Sequence, residues 1–406
     1  MFSLSDRLSH VPASPIRKFV PFAQAAKKEG VYVYHLNIGD PDIKTPEVMI
    51  NALKTWDRNP ISYEQSQGNP AFLTSLKTYY ERLGFSFVDE KHIQVTTGGS
   101  EAISMAIFAT CNPGDEIIVF EPFYANYNSF AAVNGITLVP IITELSNGFH
   151  LPDREVIEKK ISGKTKAILI CTPNNPTGTV YSKQEMDMLV SIAKDHGLFF
   201  LSDEVYREFC YEGKKHMSLF SYMEAIPNQA VVLDSLSKRY SICGARLGCL
   251  VSLNEEIMAG VLRMAQGRLS SGLIDQIMAS KLTEVPGSYT EQVRKEYQMR
   301  RDVLFQELSS IDGVELPPKP EGAFYAVVGL PVVDAEDFCT FLLTKFRDNN
   351  ETVMLAPASG FYATPNCGRN EVRIAYVLSV DAIKRSVEII KHALKAYNSI
   401  PGFNST

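Results

Sequence analysis

The sequence predicts an α/β fold: a large domain with a mostly parallel seven-stranded sheet flanked by helices, joined to a smaller α+β domain. Three observations carry that expectation. Seven short apolar runs alternate with helical stretches through the middle of the 406 residues. The runs are continuously apolar rather than alternating, which suits strands buried on both faces. Strand–helix alternation of this kind gives parallel pairing, because each helix carries the chain back to start the next strand.

The elements follow in order. The first forty or so residues, with Pro12, Pro15 and Pro21, read as an extended arm. The seven runs are His92–Thr97, Glu116–Phe120, Ile136–Ile141, Lys166–Cys171, Leu198–Ser202, Ala230–Asp234 and Leu247–Leu253. Helical patterns between them include Glu101–Cys111 and Ser182–His196. Ser288–Ser310 is charged and helical and reads as a long helix leaving the large domain. Beyond it, Ala323–Val328, Thr352–Leu355 and Glu371–Leu378 are strand-like, and Ala335–Phe346 and Val380–Tyr397 helix-like. The expected division is an arm at 1–45 that joins the small domain, a large domain at 46–287, and an interdomain helix with the small C-terminal domain at 288–406.

Composition narrows the function. Forty Lys+Arg against forty-six Asp+Glu give a net charge of −6, which argues against nucleic-acid or membrane-surface binding. Seven cysteines without a C-x-x-C pair suit a reducing cytoplasm better than a disulfide scaffold. The histidines never fall at metal-ligand spacing such as H-x-x-x-H, so no metal site is expected. Met1–His10 lacks the apolar stretch of a signal peptide, and no apolar run approaches the roughly 18 residues of a membrane span.

Ligands of open α/β sheets bind beyond the carboxyl ends of the strands. Four polar clusters stand there. Gly98-Gly99-Ser100 opens a helix, a geometry that suits an anion; an ordinary turn with Ser100 as N-cap, or a nucleophile elbow at Gly98-x-Ser100-x-Ala102, fits the same residues. Asn174-Asn175-Pro176-Thr177-Gly178, Asp203-Glu204-Val205-Tyr206 and Ser235-Leu236-Ser237-Lys238 follow three later strands. Alone they could be a turn, a helix cap and a solvated lysine, and Ser235-x-x-Lys238 also matches the S-x-x-K of serine hydrolases. Together they offer a lysine for a Schiff base, an aspartate for a pyridinium nitrogen and a phosphate nest.

These motifs resemble the class I/II aminotransferases, pyridoxal-phosphate enzymes of fold type I, in their aspartate-aminotransferase-like branch. Gly244-Ala245-Arg246-Leu247-Gly248, Asn37-Ile38-Gly39-Asp40-Pro41-Asp42 and Val372-Arg373-Ile374-Ala375 extend the resemblance over nearly the whole chain. It implies pyridoxal 5'-phosphate as cofactor, amino acid and 2-oxo acid substrates, and a homodimer with shared active sites. Lys238 would form the Schiff base and move the proton at the substrate Cα. Asp203 would keep the ring nitrogen protonated, and Tyr206 and Asn175 would hydrogen-bond the ring oxygen. Gly99, Ser100, Ser235 and Arg246 would hold the phosphate, Tyr124 would stack on the ring, and Tyr63 would reach the phosphate of the neighbouring subunit. Arg373, with the backbone of Gly39 and with Asn175, would bind the substrate carboxylate.

The sequence departs from the family in two places. Pro357-Ala358-Ser359-Gly360-Phe361-Tyr362 replaces a P-G-x-x-F-G stretch. Ser100 stands where one aspartate-using bacterial subgroup has a lysine. A dicarboxylate substrate then needs another cation, expected from the partner's arm at Arg17 or Lys18. The expected activity is transamination, with aspartate or glutamate first among donors and neutral or aromatic amino acids tolerated. A lyase or condensing enzyme of the same fold, and a serine hydrolase, are the alternatives.

Overall fold

The computed structural model describes residues 4–57 and 59–400. The ends of the expected arm and small domain, Met1–Ser3 and residues 401–406, lie outside the described residues, as does Arg58. The arm supplies one short strand, β1 (Tyr32–His35). The central sheet follows with β2 (Ile93–Thr96), β3 (Glu116–Glu121), β4 (Thr137–Ile142), β5 (Thr165–Cys171), β6 (Phe199–Asp203), β7 (Ala230–Ser235) and β8 (Gly248–Ser252). Its order is β2-β8-β7-β6-β5-β3-β4. Strands β4, β3, β5, β6 and β7 pair in parallel, and β8 pairs antiparallel with both its neighbours.

Alternation within the buried strands explains the continuous apolar runs. Ala167, Leu169 and Cys171 of β5, Leu201 of β6 and Leu233 of β7 face one core with Ile103 and Tyr297. Ile168, Ile170, Phe200 and Val232 face a second core with Leu189, Phe220 and Tyr80. Successive side chains point to opposite faces, so a strand covered on both sides needs apolar residues at every position. Each fully buried aliphatic side chain contributes on the order of 1.5–3 kcal/mol.

The helices begin and end where their caps allow. Lys183–Asp195 starts with a capping box in which the Glu185 N–H donates to Ser182 Oγ at 3.2 Å and the Ser182 N–H to Glu185 Oε2 at 2.7 Å. The helix after β2 spans Gly98–Thr110 with Thr97 as N-cap, so Ser100 lies inside the first turn and is not the cap. The long helix spans Gly287–Leu308.

The remaining strands are β9 (Tyr325–Gly329), β10 (Glu351–Met354), β11 (Ala356–Pro357) and β12 (Glu371–Ala375). Strands β11, β12 and β9 form an antiparallel sheet in that order, and β1 pairs in parallel with β10, which ties the arm to the C-terminal part. Strand β9 starts two residues later than expected because Ala323 has φ +53°, which no strand accommodates. The helix Ala335–Thr344 stops short of Phe346, and the Arg347 guanidinium caps it by donating to the carbonyls of Leu342 and Leu343 at 3.4 and 3.2 Å.

The arm is a correction. It contains a helix at Val20–Lys28, and Pro21 sits in the first turn, where its missing N–H costs nothing. Phe19, Ala23 and Ala26 anchor this helix in the main core. Among the described residues no helix is long and apolar enough to cross a membrane.

Candidate active site

The carboxyl ends of β2, β5, β6 and β7 open on a cleft of about 600 Å³. It is lined by Gly39, Gly99, Ser100, Tyr124, Asn175, Asp203, Tyr206, Ser235, Lys238, Arg246 and Arg373, so eleven of the twelve site residues read from the sequence meet there. The twelfth, Tyr63, is 81% exposed and lies outside the cleft.

Lys238 sits on the one-turn helix Leu236–Arg239 that follows β7 and is half-buried. Its Nζ donates to the Gly39 carbonyl at 2.7 Å and to Cys243 Sγ at 3.4 Å, and among the described residues no carboxylate holds it. Gly39 has no room for a side chain: a Cβ there would lie 1.8 Å from the Tyr325 hydroxyl oxygen.

Asp203 ends β6 and is 4% exposed. Burial pushes its carboxyl up to about 7, against hydrogen bonds donated by the Tyr127 hydroxyl at 2.9 Å and the Val205 N–H at 3.4 Å. A cation placed beside it would favour its ionised form. The neighbouring Glu204 behaves oppositely. It too is buried, but His216, Arg207, Ser218 and the Leu219 N–H surround it, and its carboxyl falls to about 2.

Tyr206 is buried, with its hydroxyl 3.1 Å from that of Tyr325 and 3.4 Å from Asn175 Nδ2. Burial raises its phenol well above the ordinary value. Ser235 caps the Lys238 helix, its Oγ accepting from the Ser237 N–H at 3.2 Å. Gly98 adopts φ +74°, and a Cβ there would sit 2.5 Å from Arg246 Nη2, so a side chain at 98 would displace the guanidinium. Arg246 therefore lies against the first turn of Gly98–Thr110, where the leading N–H groups have no partner within the helix.

Arg373 is the least ordinary residue of the cleft. It lies on β12 and is 2% exposed. Its Nη1 donates to Asn175 Oδ1 at 3.1 Å and its Nη2 to the Asn37 carbonyl, while Nε has no partner. Its guanidinium stacks 4.6 Å from the centre of the Tyr325 ring. Among the described residues no carboxylate pairs with it, and burial lowers its pKa.

Among the described residues four cations line the cleft, Arg17, Lys238, Arg246 and Arg373, against one acid, Asp203. In a chain of net charge −6 this is a site built for anions. The groups suit pyridoxal phosphate: an amine held by no described carboxylate for the aldehyde, a buried carboxyl for the ring nitrogen, and a cation at a helix start for the phosphate. They do not suit serine hydrolysis, since no histidine is among the described residues that line the cleft, and Ser100 and Ser235 are held in a helix turn and a cap.

The sequence did not point to Tyr127 or Tyr325. Tyr127 stands three residues after Tyr124, a spacing that could have flagged it; Tyr325 carried no signal. Arg17 was expected from a partner's arm, yet it lines this chain's own cleft, while Lys18 turns away to pair with Glu336.

The family pattern described as aminotransferase class I and II matches residues 32–390. The chain is 30% identical to an aspartate aminotransferase of Pinus pinaster over 97% of its own length and 81% of that protein. Its fold is similar to that of the Thermus thermophilus aspartate aminotransferase with maleate, with a TM-score of 0.86, 27% identity, and 97% of this chain and 100% of that one covered. An alanine aminotransferase from Pyrococcus furiosus is equally similar, with a TM-score of 0.86, 28% identity and the same coverage.

Proposed function

We propose, from the premise that this chain belongs to the class I and II aminotransferases and is a pyridoxal-phosphate-dependent transaminase, that it moves the amino group of aspartate or glutamate to a 2-oxo acid, with 2-oxoglutarate as the first acceptor. The observation that carries this reading is Arg373, a buried guanidinium without a counterion in the same cleft as Lys238 and Asp203. A buried unpaired cation is costly, and a bidentate carboxylate offsets that cost.

The chemistry that bound pyridoxal phosphate supplies is an electron sink next to the substrate Cα. This chain's residues do the rest. Lys238 anchors the cofactor aldehyde and moves the proton at Cα. Asp203 keeps a proton at the ring nitrogen, with Tyr127 fixing its carboxyl. Tyr206 and Asn175 hydrogen-bond the ring oxygen, and Tyr124 covers the ring. Gly99, Ser100, Ser235 and Arg246 hold the phosphate. Arg373 grips the α-carboxylate, with Asn175 and the Gly39 backbone positioning it.

The names of the relatives support an acidic substrate, and maleate in the Thermus structure is a dicarboxylate. The same reading makes the protein a cytoplasmic homodimer in which Tyr63 reaches the neighbour's phosphate. It also divides the chain into the arm at 1–45, the large domain at 46–287 and the helix with small domain at 288–406; the pairing of β1 with β10 supports joining the arm to the last of these. The test is a panel of amino acids with 2-oxoglutarate as acceptor. Aspartate or glutamate should react fastest, glutamate being followed through exchange into labelled 2-oxoglutarate. An aliphatic or aromatic donor outrunning both would remove the acidic substrate and leave the transaminase.

A further inference from the structure

We propose that Arg17, on the chain's own N-terminal arm, selects the substrate side chain by pairing with its second carboxylate. The inference rests on the transaminase reading above, in which Arg373 takes the α-carboxylate. It follows from a charge balance. Of the four described cations lining the cleft, that reading gives Lys238 the aldehyde, Arg246 the phosphate and Arg373 the α-carboxylate. Arg17 is left without an anion. Among the described residues its guanidinium has no hydrogen-bond or ion-pair partner; only its backbone N–H is engaged, at 3.2 Å from the Ser14 carbonyl.

The arm holds Arg17 in place from both sides. On one side Pro15 covers Gly360 so closely that a Cβ at 360 would lie 2.1 Å from Pro15 Cβ, and Ile16 packs on the cluster of Ala358 and Phe361. On the other, Lys18 pairs with Glu336 and Phe19 is 2% exposed. The backbone that carries Arg17 is thus already fixed at the cleft, so binding has only its exposed side chain to order. The cation that reads the side chain therefore belongs to the same subunit as the lysine that does the chemistry.

The test uses the cofactor-loaded protein and inert acids, so that binding is read apart from turnover. Succinate and propionate differ by one carboxylate. Calorimetry should show wild type binding succinate about 10–100-fold tighter, the range expected of a charged hydrogen-bonded pair. Arg17→Ala should bring that ratio to about one, and Arg17→Lys should restore part of it. The ratio of kcat/KM for aspartate over alanine should fall by the same factor. If wild type prefers succinate and Arg17→Ala keeps the preference, Arg17 is a bystander while the acidic-substrate reading stands. If wild type shows no preference and neither aspartate nor glutamate reacts, the acidic-substrate reading fails and this inference with it.

Discussion

The proposed binding role of Arg373 comes at the expense of stability. Its guanidinium is desolvated, lacks a counterion and leaves Nε unsatisfied. Replacing it by an apolar residue of similar length removes a buried unpaired charge. Arg373→Met should therefore raise the unfolding temperature of the cofactor-free protein while lowering kcat/KM for every amino acid at least about 100-fold, since each such contact is worth roughly 1.5–3 kcal/mol and the fork makes two. Arg373→Lys should recover little of that activity. Differential scanning calorimetry beside steady-state kinetics reads both. Asp203 gives a pH signature. Its folded-state value, about 7, lies above the unfolded one of 3.8, so the folded chain keeps a proton that the unfolded chain has released. The penalty is absent below about pH 4 and fully present above about pH 7, at most about 4 kcal/mol. Cofactor-free wild type should accordingly lose stability relative to Asp203→Asn as pH rises from about 5 to 8, and a pH-independent difference in urea midpoints would contradict this.

Strands with both faces covered advertise themselves, and all seven central strands lie within a few residues of apolar runs read from the sequence. The strand ends also gave up the site, because Asp203 and Ser235 end their strands and Gly98, Asn175 and Lys238 lie within a few residues of others. What stayed hidden depends on geometry that sequence spacing does not encode. The proline content of the arm suggested extended chain, yet Pro21 fits a first turn and the helix Val20–Lys28 forms. Thr97 takes the cap position because Gly98, at φ +74°, already opens the helix. That Arg17 joins its own cleft follows from the docking of the arm on Phe361, a contact between residues far apart in sequence. The Gly98 turn is also a point of fragility. Gly98→Ala strains a positive φ and displaces Arg246, so it should weaken equilibrium binding of pyridoxal phosphate about tenfold or more and destabilise the fold by about 1–2 kcal/mol. Unchanged affinity in equilibrium dialysis would detach Arg246 from the phosphate.

At the scale of the molecule, charge is distributed with a purpose. An acidic chain keeps a cleft with four cations and one acid, a local field that draws carboxylates and phosphate from solution. Ile61, Tyr63 and Leu269 are exposed, and the Glu64 N–H donates to Ser270 Oγ at 3.3 Å, which joins the segments that carry Tyr63 and Leu269. Apolar surface of this kind suits an isologous dimer. Light scattering should give twice the chain mass, and Tyr63→Ala should weaken cofactor binding; a fully active monomer would contradict both. The transfer itself is tested most directly with nitrogen. Given a mixture of ¹⁵N-labelled amino acids other than glutamate, with unlabelled 2-oxoglutarate, the loaded enzyme should place the label in glutamate. Lys238→Ala should keep its circular dichroism spectrum and place almost none there. Label appearing as free ammonia, or transfer undiminished in Lys238→Ala, would contradict the account.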